Sequence, residues 1–394
     1  MKVLVVSEPG LDGVFRHVEG LIRYLLDHGH EVLFAWSDRR TSDRLITLVE
    51  EVNKRGGATL RLSIGNGPAP GDLSALLKLA AFARRHGPDL IHAHSSKAGA
   101  LTRVLPLLGV KATLLYTPHA YYRMHDRRGW KTHFFHLIEA ILGHVGWTTS
   151  LSPSEAEFAA RHLHLPPARL VRIQNGVDPV RFTPAPPAEK TRLRAELGIP
   201  PGARVLGTLG RFSAQKDPVT LYRALGLVAR DLPDLFFVHL GKGELEPEVE
   251  AVVKEYSLAD RVRRVPYLPD PLPIYRCLDG FILTSLYEGM SYALLEALAL
   301  DLPLVLTRAP GVEEFADMGL SHLSWAQPGD AASVAAAIRE WHGKVAAGAP
   351  PNHREIAINS LSEEKCFGEL CRMYALVSAV TPDPAAHPVP APRL

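Results

Sequence analysis

Short apolar runs that end in turn residues alternate with helix-forming stretches along this chain, in two successive series. In the first series, residues 3–6, 31–35, 89–94, 113–116 and 147–151 read as buried parallel strands, separated by stretches with helical spacing such as Val14, Val18, Leu21, Ile22, Leu25 and Leu26. In the second, the strand-like runs are 204–210, 235–240, 262–265, 280–284 and 303–306. Strands that alternate with helices build parallel sheets covered on both faces. The Pro-rich segment 183–188 separates the two series and reads as a stiff surface connection. The expectation is an α/β chain of two doubly wound, Rossmann-like domains facing across a cleft, 1–182 and 183–361. A helix at about 362–377 is expected to return to the first domain, and the Pro/Ala-rich tail 381–394 to be disordered.

A chain of 394 residues accommodates two ordinary domains. A net charge of +2 gives no overall electrostatic case for nucleic acid. The three cysteines, Cys277, Cys366 and Cys371, have neither metal-type spacing nor a disulfide pattern, which suits a reducing, cytoplasmic setting. Residues 1–6 read as a first strand rather than a signal peptide, and the apolar stretch 101–116 is interrupted by Arg103, Pro106 and Lys111, so any membrane contact is expected to be peripheral. Gly10 and Gly13 do not complete a G-x-G-x-x-G fingerprint, which argues against a nicotinamide dinucleotide.

The chemistry concentrates where strands end. After the run 280–284, the stretch 285–299 turns at Glu288-Gly289 and continues into a helix that carries Glu296. Gly289 permits close backbone approach, and free N–H groups near Ser291 face outward at the positive end of the helix, a mouth suited to a phosphate flanked by hydroxyls. Two glutamates eight apart also fit solvated helix-face charges, but ligands of open α/β sheets bind at strand C-terminal edges, where Glu288 lies. Arg211 and Lys216 follow the run 204–210 and put two cations on one loop, the requirement of a leaving diphosphate; two plain surface cations are the alternative. His119 follows a first-domain strand and can hydrogen-bond a sugar hydroxyl or a phosphate, or simply close a loop. His92 and His94 are read as structural, not both facing the core. His133 and His136 lie one helical turn apart without a third ligand, so no metal site is expected. The segment 121–136 mixes aromatics with Arg123, Arg127, Arg128 and Lys131, and fits either a solvated loop or a contact with an anionic membrane surface.

These motifs together resemble the retaining glycosyltransferases of family 4, which have the GT-B architecture, and the resemblance runs from Met1 to about Val377. Glu288-Gly289-Met290-Ser291 through Glu296 is similar to the family's E-x7-E motif, Gly210-Arg211-Phe212 with Lys216 to its paired-cation loop, and Asn175-Gly176-Val177-Asp178 with Phe182 to the segment before its interdomain linker. Gly29-His30-Glu31-Val32, His92-Ala93-His94-Ser95 and Thr117-Pro118-His119 are similar to first-domain signatures, close versions of which occur in bacterial capsule and exopolysaccharide transferases. There are two departures. Asp12 stands where the first of two adjacent glycines is usual, leaving Gly13, and Gly241-Lys242-Gly243 replaces a Gly-Asp-Gly.

The resemblance implies roles. Arg211 and Lys216 would hold the donor diphosphate and, with His119 and Glu288, serve catalysis. Glu288, Gly289, Met290 and Ser291 would contact the donor, Glu296 the ribose hydroxyls, and the backbone of Tyr267 and Leu268 the base. Gly13 and His17 would lie on the acceptor side. It implies no metal and no cofactor beyond a nucleotide-diphosphate sugar, UDP-linked, with retention of configuration and a glycan or lipid-linked acceptor. A peripheral contact through 121–136 would place the chain at the inner face of a membrane. Two other readings are a sugar-nucleotide epimerase of similar shape, and a relative that binds nucleotide or glycan without turnover. The Glu288/Glu296 spacing argues against the first. The joint presence of His119, Arg211, Lys216, Glu288 and Glu296 argues against the second.

Overall fold

The structure is a computed structural model and describes residues 1–10, 12–65, 67–122, 124, 129–266, 268–348 and 350–379. The chain divides into two compact units, Met1–Gly176 with Glu363–Leu394, and Val177–Ser362.

The first unit runs β1 (Lys2–Ser7), α1 (Asp12–Asp27), β2 (Glu31–Ser37), α2 (Asp43–Lys54), β3 (Ala58–Leu62), α3 (Asp72–His86), β4 (Leu90–His94), α4 (Ser96–Val104), β5 (Thr113–Thr117), α5 (Trp130–Leu142), β6 (Trp147–Ser150), α6 (Pro153–Arg161) and β7 (Leu170–Arg172). Its seven strands pair in the order β3-β2-β1-β4-β5-β6-β7, all parallel. Strand order reverses between β1 and β4, where Ser7 is paired with His94. At such a switch point the flanking connections leave for opposite faces and open a crevice at the carboxyl ends. Helix α6 starts as its sequence demands: Ser152 accepts from the Glu155 N–H and Pro153 takes the first turn, a cap of about 1 kcal/mol. One ionic knot is buried against the sheet. Arg103 of α4 donates to Glu139 of α5 at 2.7 Å and to the Gly99 carbonyl at 2.9 Å, while the Tyr116 hydroxyl of β5 donates to Glu139 at 2.9 Å. Gly99 has no room for a Cβ, which would fall 2.4 Å from the Tyr116 ring.

The second unit runs α7 (Pro187–Glu196), β8 (Arg204–Leu209), α8 (Pro218–Val228), β9 (Leu235–Leu240), α9 (Glu246–Glu255), β10 (Val262–Val265), α10 (Leu272–Cys277), β11 (Gly280–Leu283), α11 (Tyr292–Ala299), β12 (Leu304–Thr307), β13 (Leu323–Ala326), α12 (Ala331–Ala347) and α13 (His353–Leu361). The sheet order is β10-β9-β8-β11-β12-β13, again parallel, with its switch point between β8 and β11. Trp341 of α12 lies on Gly280, where a Cβ would stand 2.0 Å from the indole nitrogen. The chain then returns to the first unit as α14 (Glu363–Ala379), whose Phe367 packs edge-on against His17 of α1 at 5.4 Å between centroids.

Several expectations are corrected. The seam falls after Gly176, not after residue 182, because Val177 and Phe182 are buried in the second unit's core and the Val177 N–H donates to the Leu361 carbonyl at 2.8 Å. The segment 121–136 is not simply a loop, since α5 begins at Trp130. His92 and His94 are both fully buried, with ring centroids 4.0 Å apart. Residues two apart on a strand share one face, so alternation gave no reason to separate them. Residues 123, 125–128 and 267 and the tail from 380 lie outside the described residues, as do the expectations for Tyr267 and for disorder in 381–394.

Candidate active site

In the second unit, the loops after β8 and β11 meet at the switch point. Lys216 Nζ lies 2.5 Å from Glu288 Oε1, and the Ser285 hydroxyl donates to the same oxygen at 2.5 Å. Gln215 reaches over with its amide to the Tyr287 carbonyl at 3.1 Å and to Glu288 Oε2 at 3.4 Å. The loop's path is fixed by backbone bonds: the Leu286 N–H donates to the Gln215 carbonyl at 2.8 Å and the Glu288 N–H to the Pro310 carbonyl at 2.9 Å. Gly311, at φ +78°, passes so close that a Cβ would stand 2.2 Å from the Glu288 carbonyl oxygen. Glu288 is only 5 % exposed, so its charge depends on Lys216 for compensation.

Arg211 differs. Its side chain is exposed and makes no ion pair or hydrogen bond among the described residues. It projects from a rigid base, for the Phe212 N–H donates to the Lys242 carbonyl at 3.0 Å and the Leu245 N–H to the Phe212 carbonyl at 3.0 Å. His239 stacks on Phe212 at 4.0 Å and bonds the Gly210 carbonyl at 3.1 Å. Burial holds that imidazole near a pKa of about 4, so it is neutral. Ser291 caps α11 without a side-chain hydrogen bond to the first N–H groups of the helix. Glu296 lies within this helix and is buried, Gly289 and Met290 lead into it, and Leu268 is half-buried against the unit's core.

In the first unit, the corresponding edge is built of histidines. His92 pairs with the Tyr374 hydroxyl at 2.7 Å and with Thr117 Oγ1 at 2.8 Å, so both its nitrogens are bonded. His94 Nδ1 lies 3.0 Å from His119 Nε2, and His17 Nδ1 lies 2.9 Å from Asn175 Oδ1. Burial pushes all four imidazoles below the usual histidine range, His17 to about 4. His119 takes a left-handed backbone, φ +56°, uncommon for a residue with a Cβ. Among the described residues, the group placed to hold a metal ion is His17, His94 and His119. His133 and His136 instead bond the carbonyls of Gly129 and Tyr122.

Beside this edge opens a cavity of about 670 Å³ whose walls include Glu8, Lys97, Leu101, Pro118, Phe135 and Ile138. It combines a charged end with apolar walls from α4 and α5. Of the two residues expected on the acceptor side, Gly13 is exposed in the first turn of α1 and His17 is fully buried in the histidine cluster. Neither lines the cavity, although Val14 does. The Lys216–Glu288 contact, the cavity and the His17 cluster were not visible in the sequence. The one available signal was position: all follow the carboxyl ends of strands flanking a switch point or lie on the helix beside it.

Two sheets of this topology, each with its polar groups at the switch point, define the nucleotide-sugar transferase type of fold known as GT-B. The model for Glycosyltransferase Family 4 matches residues 11–181, and that for Glycosyl transferases group 1 matches residues 189–344. The chain belongs to the family-4-type glycosyltransferases that these tandem matches describe. It is 28 % identical over 247 residues to the UDP-Gal:alpha-D-GlcNAc-diphosphoundecaprenol alpha-1,3-galactosyltransferase of Escherichia coli, a match over 61 % of this chain and 63 % of that one. It is 33 % identical over 147 residues to the lipopolysaccharide core biosynthesis glycosyltransferase LpsE of Rhizobium meliloti, over 37 % of this chain and 42 % of that relative. The chain therefore spans less than two thirds of the length of either relative. The Anabaena HepE structure in complex with UDP-glucose superposes with a TM-score of 0.81 at 19 % identity, covering 95 % of this chain and all of that one, a likeness of fold.

Proposed function

We propose that this chain is a retaining glycosyltransferase that moves a sugar from a UDP-linked donor to a glycan or lipid-linked acceptor in the synthesis of a surface polysaccharide. The observation that carries the reading is the second unit's edge, where Lys216 and Glu288 are held together by Ser285 and Gln215 while Arg211 stands free on the same loop. A diphosphate meets the Arg211 guanidinium and draws on the Lys216 ammonium as negative charge grows on the leaving group. Glu288, relieved of part of that pairing, accepts from sugar hydroxyls. Glu296 takes the ribose hydroxyls, and the open start of α11 adds N–H donors. His119 is uncharged, so it serves the sugar as a hydrogen-bonding dipole rather than as a cation. No cofactor is assigned, because two cations and a helix start suffice for the diphosphate.

The acceptor is assigned to the cavity of the first unit, whose charged end suits sugar hydroxyls and whose apolar walls suit a lipid chain. Helix α5 also leaves Trp130, Phe134, Leu137 and Ile141 exposed along one face, at helical spacing, and in the sequence it follows Arg127 and Arg128 and includes Lys131. An anionic lipid surface fits that pattern, and contact there would place the chain at the cytoplasmic face of a membrane. No helix of the described residues is long and apolar enough to cross one.

The test is release of free nucleotide diphosphate from a donor panel, with and without acceptor extract, and with EDTA. Acceptor-dependent release that EDTA does not lower is expected. Isomerised sugar nucleotide would establish the epimerase instead, and tight binding without turnover the inactive relative. Sedimentation with anionic vesicles tests the α5 face, and loss of pelleting in Trp130→Glu is expected.

A further inference from the structure

The imidazoles of His17, His94 and His119 form a triangle. Their ring centroids lie 5.1, 5.0 and 5.3 Å apart, and one ring nitrogen from each lies within 4.8 Å of the others. Three imidazoles bound tetrahedrally at ordinary zinc–nitrogen lengths would place their centroids about 5 Å apart. The rings thus stand at the spacing that a common centre requires, and modest rotations would bring the nitrogens onto it.

A second observation points to a ligand. His17 Nε2 and His94 Nε2 are buried and have no hydrogen-bond partner among the described residues, and both residues are fully inaccessible to solvent. A buried polar nitrogen without a partner is unusual and calls for a water or an ion. The outer nitrogen of His17 is already engaged: Nδ1–H donates to Asn175 Oδ1 at 2.9 Å, which fixes the tautomer and leaves the lone pair on Nε2. A carbonyl oxygen behind a ligating histidine is the usual second contact of a metal site. His92, by contrast, has both nitrogens hydrogen-bonded and stands outside the group.

We propose that His17, His94 and His119 form a three-imidazole site for a borderline first-row cation, Zn²⁺ in preference to Mg²⁺ or Mn²⁺, with a fourth position left to water. The group contains no carboxylate, so the hard cations find no matching donor, whereas neutral imidazole nitrogens suit zinc. Occupancy would tie up His119, so the metal inhibits sugar transfer rather than assisting it. Binding itself does not depend on the transferase reading; only the inhibition does.

The full chain, stripped with a chelator, is titrated with Zn²⁺ and with Mg²⁺ by calorimetry. One saturable Zn²⁺ per chain is expected, with no comparable Mg²⁺ uptake. A zinc-edge anomalous map is expected to place that ion among the three rings, which needs no variant. His17→Gln, with its fold checked by circular dichroism, should bind Zn²⁺ at least about 10-fold more weakly, and Asn175→Ala, which removes the supporting contact and leaves the three rings, about 10- to 100-fold more weakly. No saturable Zn²⁺, an anomalous peak elsewhere on the chain, or unchanged affinity in a folded His17→Gln would overturn the site. Zn²⁺ bound among the rings of a chain that transfers no sugar even after the metal is stripped would leave the site standing and remove the enzymatic reading, and transfer by the stripped chain that added Zn²⁺ does not lower would overturn the inhibition. Transfer without Zn²⁺ binding would do the reverse.

Discussion

The two sheets follow the same winding rule, yet the groups at the centre of their carboxyl edges differ in how they are compensated. At the first unit's switch point stands a cluster of imidazoles held neutral: His94 on β4 and His17 on α1, both buried, and His119 after β5, half-buried, with His92 behind them and the charged Glu8 and Lys97 in the wall of the cavity beside them. At the second unit's switch point they are ions, with Lys216 paired to Glu288 and Arg211 exposed. The difference is one of compensation. No carboxylate belongs to the histidine triangle, so burial drives its rings to the uncharged form. In the second unit the carboxylate and ammonium arrive on two loops of one edge and meet. An edge of neutral dipoles suits hydroxyls, and an edge of ions suits a diphosphate.

The largest effect expected is on turnover. Glu288→Gln keeps the volume and the Ser285 contact but removes the carboxylate, and should lower transfer about 10²- to 10³-fold in steady-state assays. Near-normal transfer by the folded variant would strip the charged edge of its role. Next comes Glu139→Ala, which strands Arg103 in the first unit's interior and should cost about 3–5 kcal/mol in denaturant unfolding. UDP affinity should not change, because Glu139 belongs to the first unit, where it also lines the cavity assigned to the acceptor, while the donor is assigned to the second unit. A loss of UDP binding in the folded protein would blur the division between the two units.

Acid should then separate the units. His17 has a folded pKa of about 4 against 6.5 unfolded, so its contribution, about 3 kcal/mol, is complete above pH 6.5 and is lost as pH falls through about 4. His92, His94 and His119 shift the same way. Glu155 opposes them: its folded pKa, raised to about 7 by burial, gives stability that is present at low pH and fades as pH rises through that value. The second unit has His239 and His353 on the same side of the balance. Hydrogen exchange between pH 6.5 and 4 should show the first unit losing protection before the second, and simultaneous loss would refute the contrast. The smallest effect expected is that of Arg211→Ala, which removes one charge-assisted contact worth about 1.5–3 kcal/mol and should weaken UDP binding by calorimetry. Unchanged affinity would mean that the exposed guanidinium does not meet the diphosphate.

Central strands were legible because a strand covered on both faces must be a continuous or nearly continuous apolar run, as Val3–Val6 is and as Leu235–Leu240 is apart from His239. Of the edge strands, Val262–Val265 was read and the other three were not. Ala58–Leu62 alternates only weakly and exposes Arg61, and Leu170–Arg172 is three residues long. Helix α5 was hidden because its aromatics and cations suggested a surface loop while its buried side shows only Thr132 and Glu139. The site's members were legible one at a time, from their places after strands. Their partners were not, because Lys216 meets Glu288 across 72 residues of chain and His17 meets Asn175 across 158. Nothing in a local pattern encodes a contact that only the winding of the sheet creates.

The assignment of the charged edge is tested most directly by the crystal structure of the full chain soaked with UDP. Density for the diphosphate against Arg211 and Lys216, with the ribose at Glu296, is the expected result. A nucleotide bound elsewhere, with the Lys216–Glu288 pair undisturbed and Arg211 still free in solvent, would contradict it.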